Sequence, residues 1–212
     1  MLHAPSSFAV PAPPLLRSAA VLSDPARLRA LRRSGLLDPS ADAVLDRYTR
    51  MASRLLETPV ALLSLVEPER QVFKSRVGLD VSETALSHSF CQHVVAADAP
   101  LVIEDAREHP LVRANEAIAD LGVVAYAGSP VRAPNGEPLG SFCAIASQPR
   151  VWSDDDVRVI EELAAAVSSE IALRIRTRRS TVLAQCAILA WVSADDAGNV
   201  FEVSPSWENV TG

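Results

Sequence analysis

The 212-residue chain is long enough for one ordinary domain with residues to spare. With 49% hydrophobic and 22% charged residues it can bury a normal core, and a net charge of −6 argues against a nucleic-acid face as its main business. No apolar run is long enough to span a bilayer, the N-terminal MLHAPSSFAVPAPPLLRSAA lacks the basic start of a signal peptide, and three scattered cysteines form no disulfide framework, which places the chain in the cytoplasm.

Residues 1–22 are rich in Pro and Ala without a period and are expected to be disordered. Asp24-Pro25 then reads as an N-cap and first helical residue, with Leu28 and Leu31 on an apolar face and Gly35 as the stop. A longer helix is expected over 41–56, where Leu45, Tyr48, Ala52 and Leu55 recur at three-four spacing. Pro59 ends it. VALLSLV, residues 60–66, is apolar on both faces apart from Ser64, as in a central strand covered on both sides. After the EPER turn, residues 71–77 form a second strand, with Gln71, Phe73 and Ser75 one way and Val72, Lys74 and Arg76 the other; the short link makes the pair an antiparallel hairpin.

Residues 78–87 read as loop, 89–97 as a short helix, 101–103 as a short strand and 112–121 as a modest helix. The stretch AYAGSPVRAPNGEPLGSFCAIAS, residues 125–147, is period two on both sides of Asn135-Gly136, the dipeptide suited to a tight turn with positive φ at both central positions. Its small residues, Gly128, Ser129, Gly140, Ser141 and Ala144, leave room above the sheet, either for close packing or for a pocket floor. Trp152-Ser153 opens a long helix to about 179–183, with Ser153 and Asp156 in a capping-box arrangement and Trp152 and Val157 placed as a hydrophobic staple. Beyond Cys186, residues 188–192 and 200–203 are strand candidates around a turn at 195–198, and this tail cannot bury a core alone.

This order of elements is α+β: an antiparallel sheet with helices on its faces and a long C-terminal helix. Residues 24–178 resemble a GAF domain, through RLRALRRSGLLD, PVALLSLVEPERQVFKSRVGL, LSHSFCQHVV, LVIEDAREHPLV, and AYAGSPVRAPNGEPLGSFCAI followed by WSDDD. The resemblance implies that the strand near Ser141 lies beside the strand near Leu63; it implies no particular ligand. Residues 186–212 resemble the start of a PAS domain, with Thr211-Gly212 matching and Ser204 where that family usually has Asn. The division implied is a disordered segment 1–22, a GAF domain 23–180, and a linker with an incomplete PAS segment 181–212. GAF followed by PAS is similar to the input end of a bacterial signalling protein whose output is a histidine kinase, a diguanylate cyclase or a serine phosphatase. The expectation is a non-enzymatic sensory and dimerisation module that takes a small molecule; the alternatives are a cysteine-dependent reductase of free methionine sulfoxide and a purely structural dimerisation module.

The candidate ligand-binding residues are Phe73, Ser75, Phe90, Cys91, His93, Tyr126, Ser129 and Phe142. No catalytic residue, metal site or cofactor is assigned. His88, Cys91 and His93 are badly placed as a metal set: successive helical residues turn about 100°, so His93 points about 140° from His88. GAF photoreceptors similar to phytochromes usually follow the bilin-attaching Cys with His, whereas Gln92 follows Cys91 here. The Asn-Lys and Phe-Asp-Glu pattern of nucleotide-binding GAF domains is absent. Cys91 and Cys143 as redox partners carry the enzymatic alternative, although the methionine sulfoxide reductases keep their cysteines in a different, clustered pattern.

The helix over 153–179 is expected to make a homodimer. Val157, Ile160, Leu163, Ala164, Val167, Ile171 and Ile175, extended by Val159, Ala166 and Leu173, span an arc of about 200°, where one sheet needs only somewhat more than ~100°. Ile160, Ala164, Val167 and Ile171 follow the spacing of a short coiled-coil seam. Neither nucleic acid nor membrane is an expected partner.

Overall fold

The computed structural model describes residues 14–187, 192–194 and 200–203. The chain divides into two compact units, residues 1–169 and 170–212.

The first unit is built on a six-stranded antiparallel sheet of order β3-β2-β1-β6-β5-β4. The strands are β1 (Val60–Val66), β2 (Arg70–Val77), β3 (Glu83–Ala85), β4 (Leu101–Ile103), β5 (Ala125–Arg132) and β6 (Pro138–Ala146). The helices are α1 (Pro14–Leu22), α2 (Pro25–Ser34), α3 (Ala43–Leu55), α4 (Cys91–Ala97), α5 (Ala117–Asp120) and α6 (Asp154–Ala187), the last running on into the second unit. β1 and β6 lie side by side at the centre, with Leu63 opposite Phe142 and Ser64 opposite Ser141, as the family resemblance implies. The VALLSLV strand, buried from Ala61 to Val66, belongs there: Leu63 and Leu65 face one helical layer, Leu62 and Val66 the other.

Capping chemistry sets the helix ends. Asp24 accepts from the backbone N–H groups of Ala26 and Arg27 at 2.7 and 2.9 Å, and Gly35 closes α2 at φ +68°. At α6 the capping box is reciprocal: Asp156 N–H donates to Ser153 Oγ at 3.1 Å and Ser153 N–H to Asp156 Oδ2 at 3.0 Å. Trp152 is buried and donates from Nε1 to the Ile103 carbonyl at 3.1 Å, which ties the start of α6 to β4.

Several elements differ from the sequence reading. Residues 14–22 are helical rather than disordered. Pro14 takes the first helical position, where its missing N–H costs nothing, and Leu22 is buried against α4 and its neighbours. Residues 1–13 lie outside the described residues. The loop before α4 contains the short strand β3 and a 3-10 turn, Leu86–His88. Only Ala117–Asp120 of the expected helix 112–121 is α-helical. α3 is rotated relative to the expected face: Thr49 and Leu56 are buried with Leu45 and Ala52, while Leu55 is 61% exposed.

Two local features redirect side chains. The β1–β2 ladder shifts register between Leu63 and Ser64, so Leu63 opposes Ser75 while Ser64 opposes Phe73. Lys74 is the extra residue of a bulge, and it sends Phe73 and Ser75 to opposite faces. In the β5–β6 hairpin Asn135 does not take positive φ; only Gly136 does, at +86°. Gly136 N–H donates to the Ala133 carbonyl at 2.9 Å, and the register shifts at Val131/Arg132. Pro134 prefers the second position of a type I turn, so the loop is that turn followed by a left-handed Gly and a bulge, not a two-residue primed turn.

The proposed helix seam is occupied within the chain: Ile160, Ala164 and Val167 are buried, as is Ile171. In the second unit β7 (Val192–Ala194) pairs antiparallel with β8 (Val200–Val203). The strand expected over 188–192 falls mostly outside the described residues, as do Ser204 and Thr211-Gly212.

Candidate functional site

The two faces of the sheet differ in chemistry. Toward α3, the hydroxyls of Ser75 and Thr49 lie 2.8 Å apart and Ser75 Oγ donates to Asp46 Oδ1 at 2.7 Å. Toward α4, the inward residues of the central strands are Leu62, Ser64 and Val66 on β1, Gln71 and Phe73 on β2, Tyr126 and Gly128 on β5, and Ser141, Cys143 and Ile145 on β6. A cavity of about 30 Å³ lies between this face and the segment carrying α4 and α5. Its walls are mainly Leu62, Phe73, Phe90, Leu121, Val123 and Ile145, with Gln71, His88, Cys91 and Tyr126 as its polar points. That volume admits a molecule the size of water. A ligand as large as a nucleotide enters only if the cover moves.

Hydrogen bonds hold the cover. His88 Nε2 donates to Asp120 Oδ2 at 3.0 Å, a carboxylate being only an acceptor, and this fixes the proton on Nε2. Asn115 Nδ2 donates to the Ser89 carbonyl at 3.2 Å and Glu116 N–H to the Ser87 carbonyl at 3.2 Å. Gln92 Nε2 donates to the carbonyls of Leu86 and Ser89 at 2.7 and 2.8 Å.

Below the cover runs a buried polar network. Gln71 Oε1 accepts from Ser64 Oγ at 3.0 Å and Ser89 Oγ at 2.7 Å, while its Nε2 donates to Thr84 Oγ1 at 2.9 Å and the His88 carbonyl at 3.3 Å. The Tyr126 hydroxyl donates to Cys91 Sγ at 3.4 Å and lies 3.1 Å from Ser141 Oγ, which must then be the donor to it, since a phenol has one proton. Cys91 Sγ is 3.9 Å from Cys143 Sγ, and both thiols are buried and free. The Cys143 thiol above all, and then the hydroxyls of Tyr126, Ser64 and Ser141, hold the Cys91 thiol down at about 7 against the opposing effect of burial. The neighbouring Cys91 and then burial push Cys143 well up, and burial raises Tyr126 likewise. Phe90 packs on Tyr126 with ring centroids 5.4 Å apart.

Two glycines make this arrangement possible. A Cβ on Gly128 would fall 2.3 Å from the Tyr126 hydroxyl and 2.8 Å from Ser141 Oγ, so Gly128 is the space into which the phenol folds. A Cβ on Gly140 would fall 1.9 Å from the Ser64 carbonyl oxygen, so there the missing side chain serves strand packing. The small residues of the hairpin therefore divide between the two roles their pattern left open.

Of the eight sequence-derived candidates, Phe73, Phe90, Cys91 and Tyr126 meet at the cavity. Ser75 faces α3 because of the bulge. Phe142 is buried on the α3 side of β6, opposite Leu63. Ser129 borders an open depression with Arg132, Glu161 and Ser168. His93 lies outside the cavity; burial, and then the nearby His109, lower its pKa. Gln71, His88 and Leu121 were not chosen from the sequence as ligand-binding residues. An amide sharing its strand face with Phe73 was the available signal for Gln71. Among the described residues no group of three or more His, Cys, Asp or Glu side chains is placed to hold a metal ion, and no helix is long and apolar enough to cross a membrane.

Residues 40–171 match the GAF domain family. Over 149 residues the chain is 34% identical to a cyclic di-GMP phosphodiesterase of Pseudomonas aeruginosa, covering 69% of this chain and 25% of that protein. The chain thus spans about a quarter of the length of the curated relative it matches. Among solved structures, the PixJ GAF domain of Thermosynechococcus elongatus in its blue-light-absorbing form superposes with a TM-score of 0.56 at 14% identity, covering 78% of this chain and 98% of that one. The free methionine-R-sulfoxide reductase of Neisseria meningitidis superposes with a TM-score of 0.53 at 17% identity, covering 81% and 97%. These structures share the fold.

Proposed function

The chain belongs to the GAF domain family, and on that footing we propose that it is a sensory module of bacterial signal transduction, non-enzymatic in itself, which governs a signalling output such as the phosphodiesterase activity of its relative. The observation that carries this reading is the cavity roofed by α4, α5 and the turn at Leu86–His88. Its walls are apolar, its polar points converge, and hydrogen bonds hold its cover. A small, largely apolar ligand that displaces the cover changes the position of α4 relative to the sheet, and that displacement is the signal. Residues beyond 186 are then the beginning of a PAS domain, of which the β7–β8 hairpin is the described part.

Native mass spectrometry on the purified chain tests the reading. The expected result is a noncovalent adduct that is lost on denaturation and absent from Ala117→Trp, which fills the cavity from α5. A folded wild type with no adduct, whose melting temperature is also unmoved by a small-molecule extract of a bacterial lysate, would sink it.

Dimerisation belongs to the same reading, on a different helical face from the buried seam. Leu173 is 60% exposed, and Ala166 and Val159, at seven-residue steps before it, are partly exposed. This stripe is the face for a second copy. The reductase alternative has less support, since free methionine sulfoxide carries an ammonium and a carboxylate and no Arg, Lys, Asp or Glu among the described residues lines the cavity.

A further inference from the structure

We propose that Cys91 and Cys143 are a peroxide-reactive pair that closes to an intramolecular disulfide between α4 and β6. The proposal stands on four observations. The two sulfurs are 3.9 Å apart, so bond formation at about 2.05 Å needs an approach of about 1.8 Å, within reach of side-chain rotation and a small shift of α4. Cys91 lines the cavity and Cys143 does not, which gives the two thiols different access to a reagent. The cavity, at about 30 Å³, suits a molecule such as hydrogen peroxide, which is little larger than water. Lastly, Cys91 has donors at hand: the Tyr126 hydroxyl, itself held by Ser141, donates to its sulfur, and the Cys143 thiol lies beside it. Such a shell favours the thiolate, the form that reacts, and it holds the Cys91 thiol at about 7. An inert buried cysteine sits among apolar groups and shows the opposite.

The chemistry balances with peroxide as the oxidant. The Cys91 thiolate attacks one peroxide oxygen; the S–O bond forms, the O–O bond breaks, and hydroxide leaves and takes up the proton that Cys91 released, as water. Cys91 is now a sulfenic acid. The Cys143 sulfur attacks the Cys91 sulfur; the S–S bond forms, the S–O bond breaks, and the hydroxyl leaves with the Cys143 proton as a second water. Two thiols and one peroxide give one disulfide and two waters. Cys143, which lies beside Cys91 but does not line the cavity, is the resolving partner. The bond pins the cover to the middle of the floor strand and draws it down on the cavity. The pair is independent of whether the cavity takes a ligand, so its failure leaves the sensory reading standing, and the reverse.

The experiment uses the full chain carrying Cys186→Ser, so that only this pair is free to react. The protein is treated with hydrogen peroxide, unfolded and alkylated with N-ethylmaleimide, and its intact mass is measured. The expected product is lighter by two hydrogens, takes up no maleimide, and yields one cross-linked peptide joining Cys91 to Cys143; after reduction it takes up two maleimides. Cys143→Ala in the same background is expected to stop at a Cys91 sulfenic acid trapped by dimedone, and Cys91→Ala to leave Cys143 reduced at the same peroxide dose. If both thiols are still alkylated after excess peroxide, or if Cys91 goes on to the sulfinic acid while Cys143 stays free, the proposal is wrong. The wild-type pair is read directly by mass, so poor folding of either alanine variant does not spare the proposal.

Discussion

Arg27 is the residue whose removal should cost this domain most per atom changed. It is completely buried on α2, and its guanidinium donates to backbone carbonyls rather than to a carboxylate. Nη1 donates to Val66 at 2.8 Å and to Pro138 at 3.5 Å, Nε to Val21 at 3.2 Å, and Nη2 to Leu22. One side chain thus ties the end of α1, the end of β1 and the start of β6. Burial lowers its pKa, opposed by the more distant charges of Asp24, Glu137 and Glu67. In Arg27→Met the apolar stem stays, the desolvated charge goes, and buried carbonyls lose their donors. Breaking a buried ionic arrangement costs about 3–5 kcal/mol when a charge is left behind. Here only neutral carbonyls are left, each costing about 1–3 kcal/mol if water cannot reach it, so the lower figure of about 3 kcal/mol is expected. Urea unfolding followed by circular dichroism should show the midpoint falling by roughly 1 M or more at unchanged slope. Hydrogen exchange should show residues 14–22 losing protection first. A midpoint that implies less than about 0.5 kcal/mol, the range of an ordinary surface change, would refute the view that these carbonyls depend on Arg27.

Three shorter expectations accompany it. Gly140→Ala puts a methyl on the Ser64 carbonyl, a backbone atom that cannot rotate away, and should cost about 3 kcal/mol, the upper end for overpacking, in the same urea assay. At Asp156 burial raises the pKa, but the Ser153 N–H, the Arg150 guanidinium and the Ser153 hydroxyl together bring it below the usual 3.8. A folded-state pKa below the unfolded one gives stability that is present above about pH 4 and lost as pH falls through the lowered value, so Asp156→Asn should flatten the acid limb of a melting-temperature profile. Leu173→Glu should turn a dimer into a monomer in light scattering with little change in melting temperature, whereas Val167→Asp, at a completely buried position, should unfold the chain instead.

The fold was largely legible because its signals are local. Asp24 with Gly35, Ser153 with Asp156, and the all-apolar run at 60–66 each announce an element through chemistry completed within a few residues. The readings that needed correction depend on partners far along the chain. Thr49 is buried and Leu55 exposed because Ser75, on a neighbouring strand, meets the hydroxyl of Thr49. Residues 14–22 are helical although their composition suggests disorder; their last carbonyls are held by Arg27 and Leu22 joins the core beside α4. Asn135-Gly136 misled because Pro134 shifts the turn by one position, a case where the next residue outweighs a favoured dipeptide.

The site was legible only where period two survived. Tyr126 and Cys143 fall on the inward face by simple alternation, but one bulge at Lys74 moves Ser75 to the other side of the sheet, and no residue type at that place marks the bulge. The sequence offers the two thiols as redox partners, but no local signal sets them in contact. Cys91 and Cys143 stand 52 positions apart, on a short helix and a central strand. Gly128, directly opposite Cys143, lets the Tyr126 phenol fold back toward Cys91 instead of lying over the strand. A methyl at Gly128 should therefore act at a distance on chemistry it does not touch. Gly128→Ala displaces the Tyr126 hydroxyl, removes a donor from Cys91 and raises its thiol pKa. The pH at which Cys91 reaches half its maximal alkylation rate should move upward, and Tyr126→Phe should move it in the same direction. If Gly128→Ala leaves that midpoint in place while Tyr126→Phe shifts it, the phenol has room to spare and the glycine serves only the packing of the strands.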